Sequence, residues 1–233
     1  MKSILKFLCV PALLTAAALS ILSQSAAAGK ELIVVELFTS QSCSSCPPAD
    51  KLLGQLSKNE DIIALSCHVT YWNHLHWKDT LSREFCTDRQ RLYNASLNRS
   101  NSFTPQMVIN GNLSAVGSRS NDVNKKLNQA KPIHKINLSS SSDKLTFELP
   151  NIGQNAKLIL IEYIPLHTQS IPSGENRGRT VTYTNPVNNI REIGAWDGSQ
   201  QIRSIDVKNS ASKFAIIAQI GSNGPILAAG KLD

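Results

Sequence analysis

The segment Ile33-Val34-Val35-Glu36-Leu37-Phe38-Thr39-Ser40-Gln41-Ser42-Cys43-Ser44-Ser45-Cys46-Pro47-Pro48-Ala49-Asp50 sets two cysteines between an apolar run and a helical pattern. Leu32 to Phe38 is almost continuously apolar, interrupted only by Glu36, as expected for a strand buried on both faces. Beyond the cysteines, Ala49, Leu52, Leu53 and Leu56 recur at helical spacing. Pro47 and Pro48 fit only the first turn of that helix, where missing N–H groups cost little.

A cysteine at a helix N-terminus faces unsatisfied backbone N–H groups and the positive end of the helix dipole. Both favour the thiolate, which is the attacking species in thiol–disulfide exchange. Cys43 is therefore the candidate nucleophile, and Cys46, three residues further on, the thiol that resolves the mixed disulfide. Two other chemistries use the same motif. One is a zinc half-site, which needs a second close pair, and Cys67 and Cys86 are far apart in sequence. The other is an inert disulfide in a strand-to-helix corner.

Outward from this segment the first half alternates strand and helix signals. Ile62 to Val69 is a second apolar run with Ile63, Leu65, Cys67 and Val69 on one face. A Trp- and His-rich loop follows from Thr70 to Asp79, then a helix over Ser82 to Leu97. Met107 to Ile109 reads as a strand, Asn110-Gly111 as a hairpin turn, and Leu113 to Val116 as its return. Ser120 is positioned to cap a last helix that runs to Ala130. The later residues change character to short strands, over Lys144 to Leu149, Ala156 to Ile164, Thr180 to Thr184, Ile202 to Val207, Phe214 to Ile220 and Ile226 to Leu232. The run Ser139 to Ser142 reads as a loop among them. An α/β unit over residues 29–131, then an all-β, sandwich-like unit over 132–233, is the expected organisation.

Thr104-Pro105 stands immediately before the Met107 strand. In the thioredoxin fold, which this strand and helix order resembles, a cis-proline at this place faces the Cys-x-x-Cys. The roles implied are that the Thr104 backbone pairs with an extended substrate and that Pro105 shapes the site and keeps metals off the thiols. The block Val34 to Asp50, together with His68-Val69-Thr70-Tyr71-Trp72, Trp77-Lys78-Asp79, Thr104 to Gly111, Gly174 to Thr180 and Gly194 to Gly198, resembles the bacterial family called domain of unknown function 1223. The resemblance spans nearly all of residues 29–233. It implies a thioredoxin-like domain followed by a β-rich domain in an exported protein, and it implies no substrate. Thr70 departs from the pattern, where an aspartate is expected, and Cys67 and Cys86 are unusual against it.

Several further residues are candidates. Glu36, seven residues before Cys43, lies near where thioredoxin-like enzymes hold a buried carboxylate that trades protons with the second thiol; the alternative is an ion-paired or exposed Glu. Cys67 and Cys86 can form a second disulfide between a strand and the following helix, or Cys67 can be a small buried hydrophobe. Cys67, His68, His74 and His76 could recruit copper or zinc, although histidines in such a loop more often pack or hydrogen-bond. The stretch Ile171 to Thr180 is long for a hairpin connection, which suggests a role in covering the site or presenting a partner.

The first residues have a cationic head, Lys2 and Lys6, an apolar run from Phe7 to Leu22, and the small string Ser25-Ala26-Ala27-Ala28. That is the pattern of a secretory signal peptide over residues 1–28, cleaved near Ala28, with a periplasmic or secreted product and no later membrane span. Removal of Lys2 and Lys6 lowers the formal charge from +7 to +5, with no basic cluster of the kind nucleic acid requires. The reading is an exported thiol–disulfide oxidoreductase that needs no dissociable cofactor. Its expected partners are protein thiols or disulfides and a redox recycling protein. A thioredoxin-like binding module with a fixed disulfide, or a metal-handling protein, are the alternatives.

Overall fold

The computed structural model describes residues 32–208 and 212–232. The segment read as a signal peptide lies outside them. Strand β1 (Ile33–Thr39) leads to α1 (Pro47–Leu56), β2 (Ile62–His68), α2 (Glu84–Ser96), the hairpin β3 (Gln106–Ile109) and β4 (Leu113–Val116), and α3 (Ser120–Gln129). The four strands form one sheet in the order β2-β1-β3-β4, with β1 and β2 parallel and β3 antiparallel to β1.

Alternation along β1 decides what each face of this sheet meets. Val35 and Leu37 pack with Ala49 and Leu53 of α1 and Val123 of α3. Val34 and Phe38 face the other way, into a cluster with Cys86 and Tyr93 of α2. That same cluster takes in Ile159, Ile161, Ala215 and Ile217 from the second half of the chain. β1 is therefore buried on both faces, which is why its sequence is nearly all apolar.

The second half contributes β5 (His134–Lys135), β6 (Asn137–Ser141), β7 (Lys144–Leu149), β8 (Ala156–Tyr163), β9 (Leu166–Ser170), β10 (Thr180–Thr184), β11 (Val187–Trp196), β12 (Gln201–Asp206), β13 (Lys213–Gln219) and β14 (Ile226–Lys231). A five-stranded sheet, β11-β8-β13-β14-β5, lies between the first sheet and a three-stranded one, β12-β7-β6. Leu158, Leu160, Phe214 and Ile216 meet Leu145, Phe147 and Leu149 across that second interface. β9 and β10 pair as a separate antiparallel hairpin, and β10 runs beside α1. The chain is thus a mixed α/β structure with three helices and several sheets among the described residues. No described helix is long and apolar enough to cross a membrane.

Two local expectations are corrected. Ser139 to Ser141 belong to β6, where a polar edge strand pairs with β7, and only Ser142 turns, with φ 51°. Ser120 is the first residue of α3; Arg119 stands at the cap position, and no side chain caps that end. The Asn110-Gly111 turn does form, with positive φ at both residues (46° and 71°), as the tight turn requires. Asn110 also ties three segments together: its Oδ1 accepts from Val34 N–H at 2.7 Å, its Nδ2 donates to the Lys131 carbonyl at 2.8 Å, and its carbonyl accepts from Ile226 N–H at 3.0 Å.

Cys67 at the end of β2 and Cys86 in the first turn of α2 are joined as a disulfide, both buried in the shared core. The bridge closes a loop of 19 residues' separation. Constraint of the unfolded chain by a loop of this size is worth about 3 kcal/mol. Paired replacement, Cys67→Ala with Cys86→Ala, is expected to lower unfolding free energy by about that amount in urea titration, with the circular dichroism of the folded state retained.

Candidate functional site

β1 ends at Thr39, and the chain turns through Ser40 to Ser45 into α1. Cys46 stands at the cap position of α1 with helical φ and ψ, and Pro47 and Pro48 fill the first two helical places. Cys43 and Cys46 are joined as a disulfide, with Cα atoms 5.4 Å apart. Phe38 pairs with Gln106, so Thr104-Pro105 lies beside the end of β1, at the edge of the sheet from which the cysteine turn departs. The Thr104-Pro105 peptide is cis, and Pro105 is buried. The Thr104 hydroxyl accepts from Trp72 Nε1 at 2.7 Å, which fastens the Trp-rich loop to the same edge.

Cys43 is only 3% exposed and Cys46 is fully buried. The sequence suggests a reachable sulfur at a helix start; the structure covers it, and the cover comes from 130 residues away. The β9–β10 connection folds over the turn. Asn176 Nδ2 donates to the carbonyls of Gln41 (2.9 Å) and Cys43 (2.8 Å), and Asn176 is itself 1% exposed. Ser44 N–H donates to Glu175 Oε2 at 3.1 Å, and Ser173 Oγ donates to the His76 carbonyl at 2.6 Å. Bonds from Ser44 to Glu175 hold the Glu175 carboxyl below its ordinary range. Gly174, with φ 77°, passes close to Trp77, and a Cβ there would lie 3.3 Å from the Trp77 Cβ.

Glu36 sits on the other face of β1 from α1, with Val34 and Phe38. It is the ion-paired alternative that the structure shows: Arg89 Nε donates to Oε1 at 2.6 Å and Nη2 to Oε2 at 3.0 Å, and the Tyr93 hydroxyl also donates to Oε2. Arg89 Nη1 reaches Gln219 Oε1 of β13, so this buried pair links the first sheet to the second. Burial and the Glu36 carboxylate raise the Tyr93 phenol, against the pull of Arg89 and Gln219.

The buried acid on the α1 face is Asp50, which the sequence places one turn beyond Cys46 on the same side of the helix. Its N–H donates to the Cys46 carbonyl at 3.1 Å, and its Oδ1 accepts from the Thr39 hydroxyl at 2.9 Å. Oδ2 is buried without a hydrogen-bond partner among the described residues, and so is Nε2 of His68. His68 Nδ1 lies 2.7 Å from Asp79 Oδ2, and its ring meets Tyr183 edge to face at 4.7 Å. Burial pushes the Asp50 carboxyl up to about 7, against the pull of His68 and the Thr39 hydroxyl. Asp79 goes the other way: despite burial, His68 and the N–H groups of Gln41 and Leu81 hold it below its ordinary range. A groove of about 540 Å³ opens beside Asp50, lined also by Lys51, Gly54, Arg179 and Thr182.

The metal-recruiting set does not assemble. Cys67 is engaged with Cys86, His74 bonds the Tyr71 carbonyl and stacks on Trp72, and among the described residues no three His, Cys, Asp or Glu side chains converge as ligands. Thr70 uses its hydroxyl on Thr87 and Glu84 of α2. Among the neighbours of the cysteine turn, sequence reasoning left Asp50 and Asp79 without a role, read His68 only as a metal ligand, and reached Glu175 and Asn176 only as part of the Ile171 to Thr180 connection. The helical spacing of Asp50 from Cys46 and the length of the Ile171 to Thr180 connection are the signals that the sequence offers.

A disulfide in a Cys-x-x-Cys at the head of a helix, in a mixed α/β chain with a second, buried disulfide, defines the class of molecule. Residues 34–219 match the family described as protein of unknown function (DUF1223), and the chain belongs to that family. A crystal structure of an Agrobacterium tumefaciens protein, a structural genomics target, is 28% identical; the alignment covers 86% of this chain and 93% of that one, with a TM-score of 0.74. HBP35 of Porphyromonas gingivalis shares the fold at 15% identity, over 88% of this chain and 75% of its own, with a TM-score of 0.57. No curated protein matches the sequence.

Asp50 has a measurable consequence. Its folded carboxyl keeps a proton up to about pH 7, whereas in the unfolded chain it loses it near 3.8. Between those values the folded state binds more protons, so this group's contribution to stability falls as pH rises. The unfolding free energy of the natural chain minus that of Asp50→Asn is expected to be about 3 kcal/mol more favourable at pH 5 than at pH 8. Urea titrations at the two pH values measure it, and a difference that does not change with pH would place the Asp50 titration elsewhere.

Proposed function

We propose that the protein is an exported thiol–disulfide oxidoreductase that exchanges disulfides through Cys43 and Cys46. The observation that carries this reading is the Cys43–Cys46 disulfide at the start of α1, on the same sheet edge as the cis Thr104-Pro105. The strand order β2-β1-β3-β4, with one helix between the parallel pair and a β-hairpin after α2, fits a thioredoxin-like domain. A large core supports the fold without help from this disulfide, so its placement calls for a chemical reason. Two disulfides also fit an oxidising compartment, in keeping with a signal peptide cleaved near Ala28 and a periplasmic or secreted product.

In the reducing direction, the Cys43 thiolate attacks one sulfur of a client disulfide. The client S–S bond breaks, a Cys43–client bond forms, and the departing client thiolate takes a proton from solvent. The Cys46 thiol gives its proton to Asp50 and attacks the Cys43 sulfur, which closes the internal disulfide and releases the second client sulfur as a thiolate that takes a proton from solvent. Two electrons pass from the pair to the client, and a dithiol protein restores the reduced pair; the oxidising direction is the reverse. Asp50 suits the proton step because it is buried one turn from Cys46 and its carboxyl titrates near neutrality. Glu36, fixed by Arg89 on the far face of β1, has no part in it. Thr104 and Pro105 form the wall against which an extended client chain lies.

A second reading is a binding module whose disulfide never turns over. The 3% exposure of Cys43 favours it. A Cys46→Ala variant separates the two. It cannot resolve a mixed disulfide, and is expected to accumulate a discrete set of covalent client adducts through Cys43, seen on non-reducing gels and lost on reduction. Their absence, with Cys43 shown to be free and alkylatable, would favour the binding module.

A further inference from the structure

The amides of Ser44 and Cys46, at the head of α1, are already taken. A thiolate at a helix start draws its stability from free N–H groups there. Here Pro47 and Pro48 have none, Cys46 N–H donates to the Cys43 carbonyl at 3.1 Å, and Ser44 N–H is held by Glu175. The Glu175 carboxylate is a full negative charge one residue from Cys43. The Ser45 hydroxyl lies 3.3 Å from the Cys43 sulfur. The tip that carries Glu175 is rigid in itself: Ile171 N–H donates to the Arg179 carbonyl and Gly178 N–H to that of Ile171.

We propose that Glu175 sets the redox poise of the pair: with the β9–β10 tip seated, it withholds the Ser44 amide from the Cys43 sulfur and sets a like charge beside it, so the thiolate is disfavoured and the seated form is a poor oxidant. Displacement of the tip by an incoming client chain removes that charge, frees Ser44 N–H, and uncovers the sulfur in one movement. Asn176 is the anchor of the seated state, through its two bonds to the carbonyls of Gln41 and Cys43. The tip thus couples access to reactivity. A client able to displace Asn176 from the Gln41 and Cys43 carbonyls with its own backbone N–H groups would meet an activated thiol, whereas a small thiol that leaves the tip in place would not. The inference rests on the exchange reading only for its biological use; the effect of Glu175 on Cys43 is a property of the site.

Glu175 is fully exposed on the tip, so Glu175→Gln leaves the fold intact and keeps an acceptor for Ser44 while it drops the charge. The other titratable groups about the pair are unchanged in that variant: Asp50, His68 and Asp79 beneath α1, Lys51 and Arg179 along the groove, and Arg177 on the tip. In the reduced protein, the rate of iodoacetamide alkylation of Cys43 against pH reports its ionisation. Glu175→Gln is expected to lower that midpoint by about one pH unit, the scale on which a neighbouring like charge acts. Asn176→Ala, which unseats the tip, is expected to lower the midpoint as well and to raise the rate at which glutathione reduces the oxidised pair several-fold. A midpoint unchanged in Glu175→Gln would overturn the proposal, and so would a glutathione rate unchanged in Asn176→Ala. If the midpoint shifts but Cys46→Ala traps no client, the poise stands and the exchange reading fails; adducts without a shift give the converse.

Discussion

Strand β1 is covered on both sides, and the residue that falls on each side determines what the rest of the molecule can do there. On one face Val35, Leu37 and Thr39 look at α1; on the other Val34, Glu36 and Phe38 look at α2 and the five-stranded sheet. The pleat allows no exchange between these sets, because a slip of one residue would invert both. The first face ends at Thr39, whose hydroxyl holds Asp50 under the cysteine turn. The second carries Glu36, whose pairing with Arg89 is buried and satisfied through Tyr93 and Gln219. One strand therefore separates the polar cluster under the cysteine turn from the one that joins the two sheets.

The two buried polar clusters differ in how fully they are satisfied. Around Glu36 every carboxylate oxygen has a donor, as a buried ion pair needs if it is not to destabilise the core. Around Asp50 one carboxylate oxygen and one imidazole nitrogen are buried without partners among the described residues. Incomplete satisfaction at that depth costs stability. It occurs one helical turn from Cys46, where a group able to take and return a proton near neutral pH has a use.

The strand and helix order was legible in the sequence because its signals are local. The apolar run Leu32 to Phe38, the prolines after Cys46 and the Asn110-Gly111 turn each act within a few residues, and the structure uses them as read. Polar edge strands were not legible: β6 with its serines, β9, and the irregular β11 carry little apolar alternation, since they face solvent on one or both sides. The acid of the site was half legible. Because β1 is apolar on both faces, its pattern does not say which residues meet α1, and Glu36 and Asp50 cannot be ranked without that. The cover over Cys43 was least legible. Glu175 and Asn176 reach the turn across about 130 residues of chain, and only the length of the Ile171 to Thr180 connection hinted at a task.

The position of two disulfides in one chain gives the exchange account a built-in comparison. Cys67–Cys86 lies inside a core shared by two sheets, whereas Cys43–Cys46 lies beneath the tip of the β9–β10 hairpin. The most direct measurement is an equilibrium titration of the intact, folded protein against dithiothreitol buffers of graded potential, with alkylated cysteines counted by peptide mass spectrometry. The account predicts that Cys43 and Cys46 become reduced as a two-electron pair at a midpoint above about −300 mV while Cys67–Cys86 stays oxidised. A Cys43–Cys46 bond that resists reduction until the fold itself is lost, together with Cys67–Cys86, would contradict it.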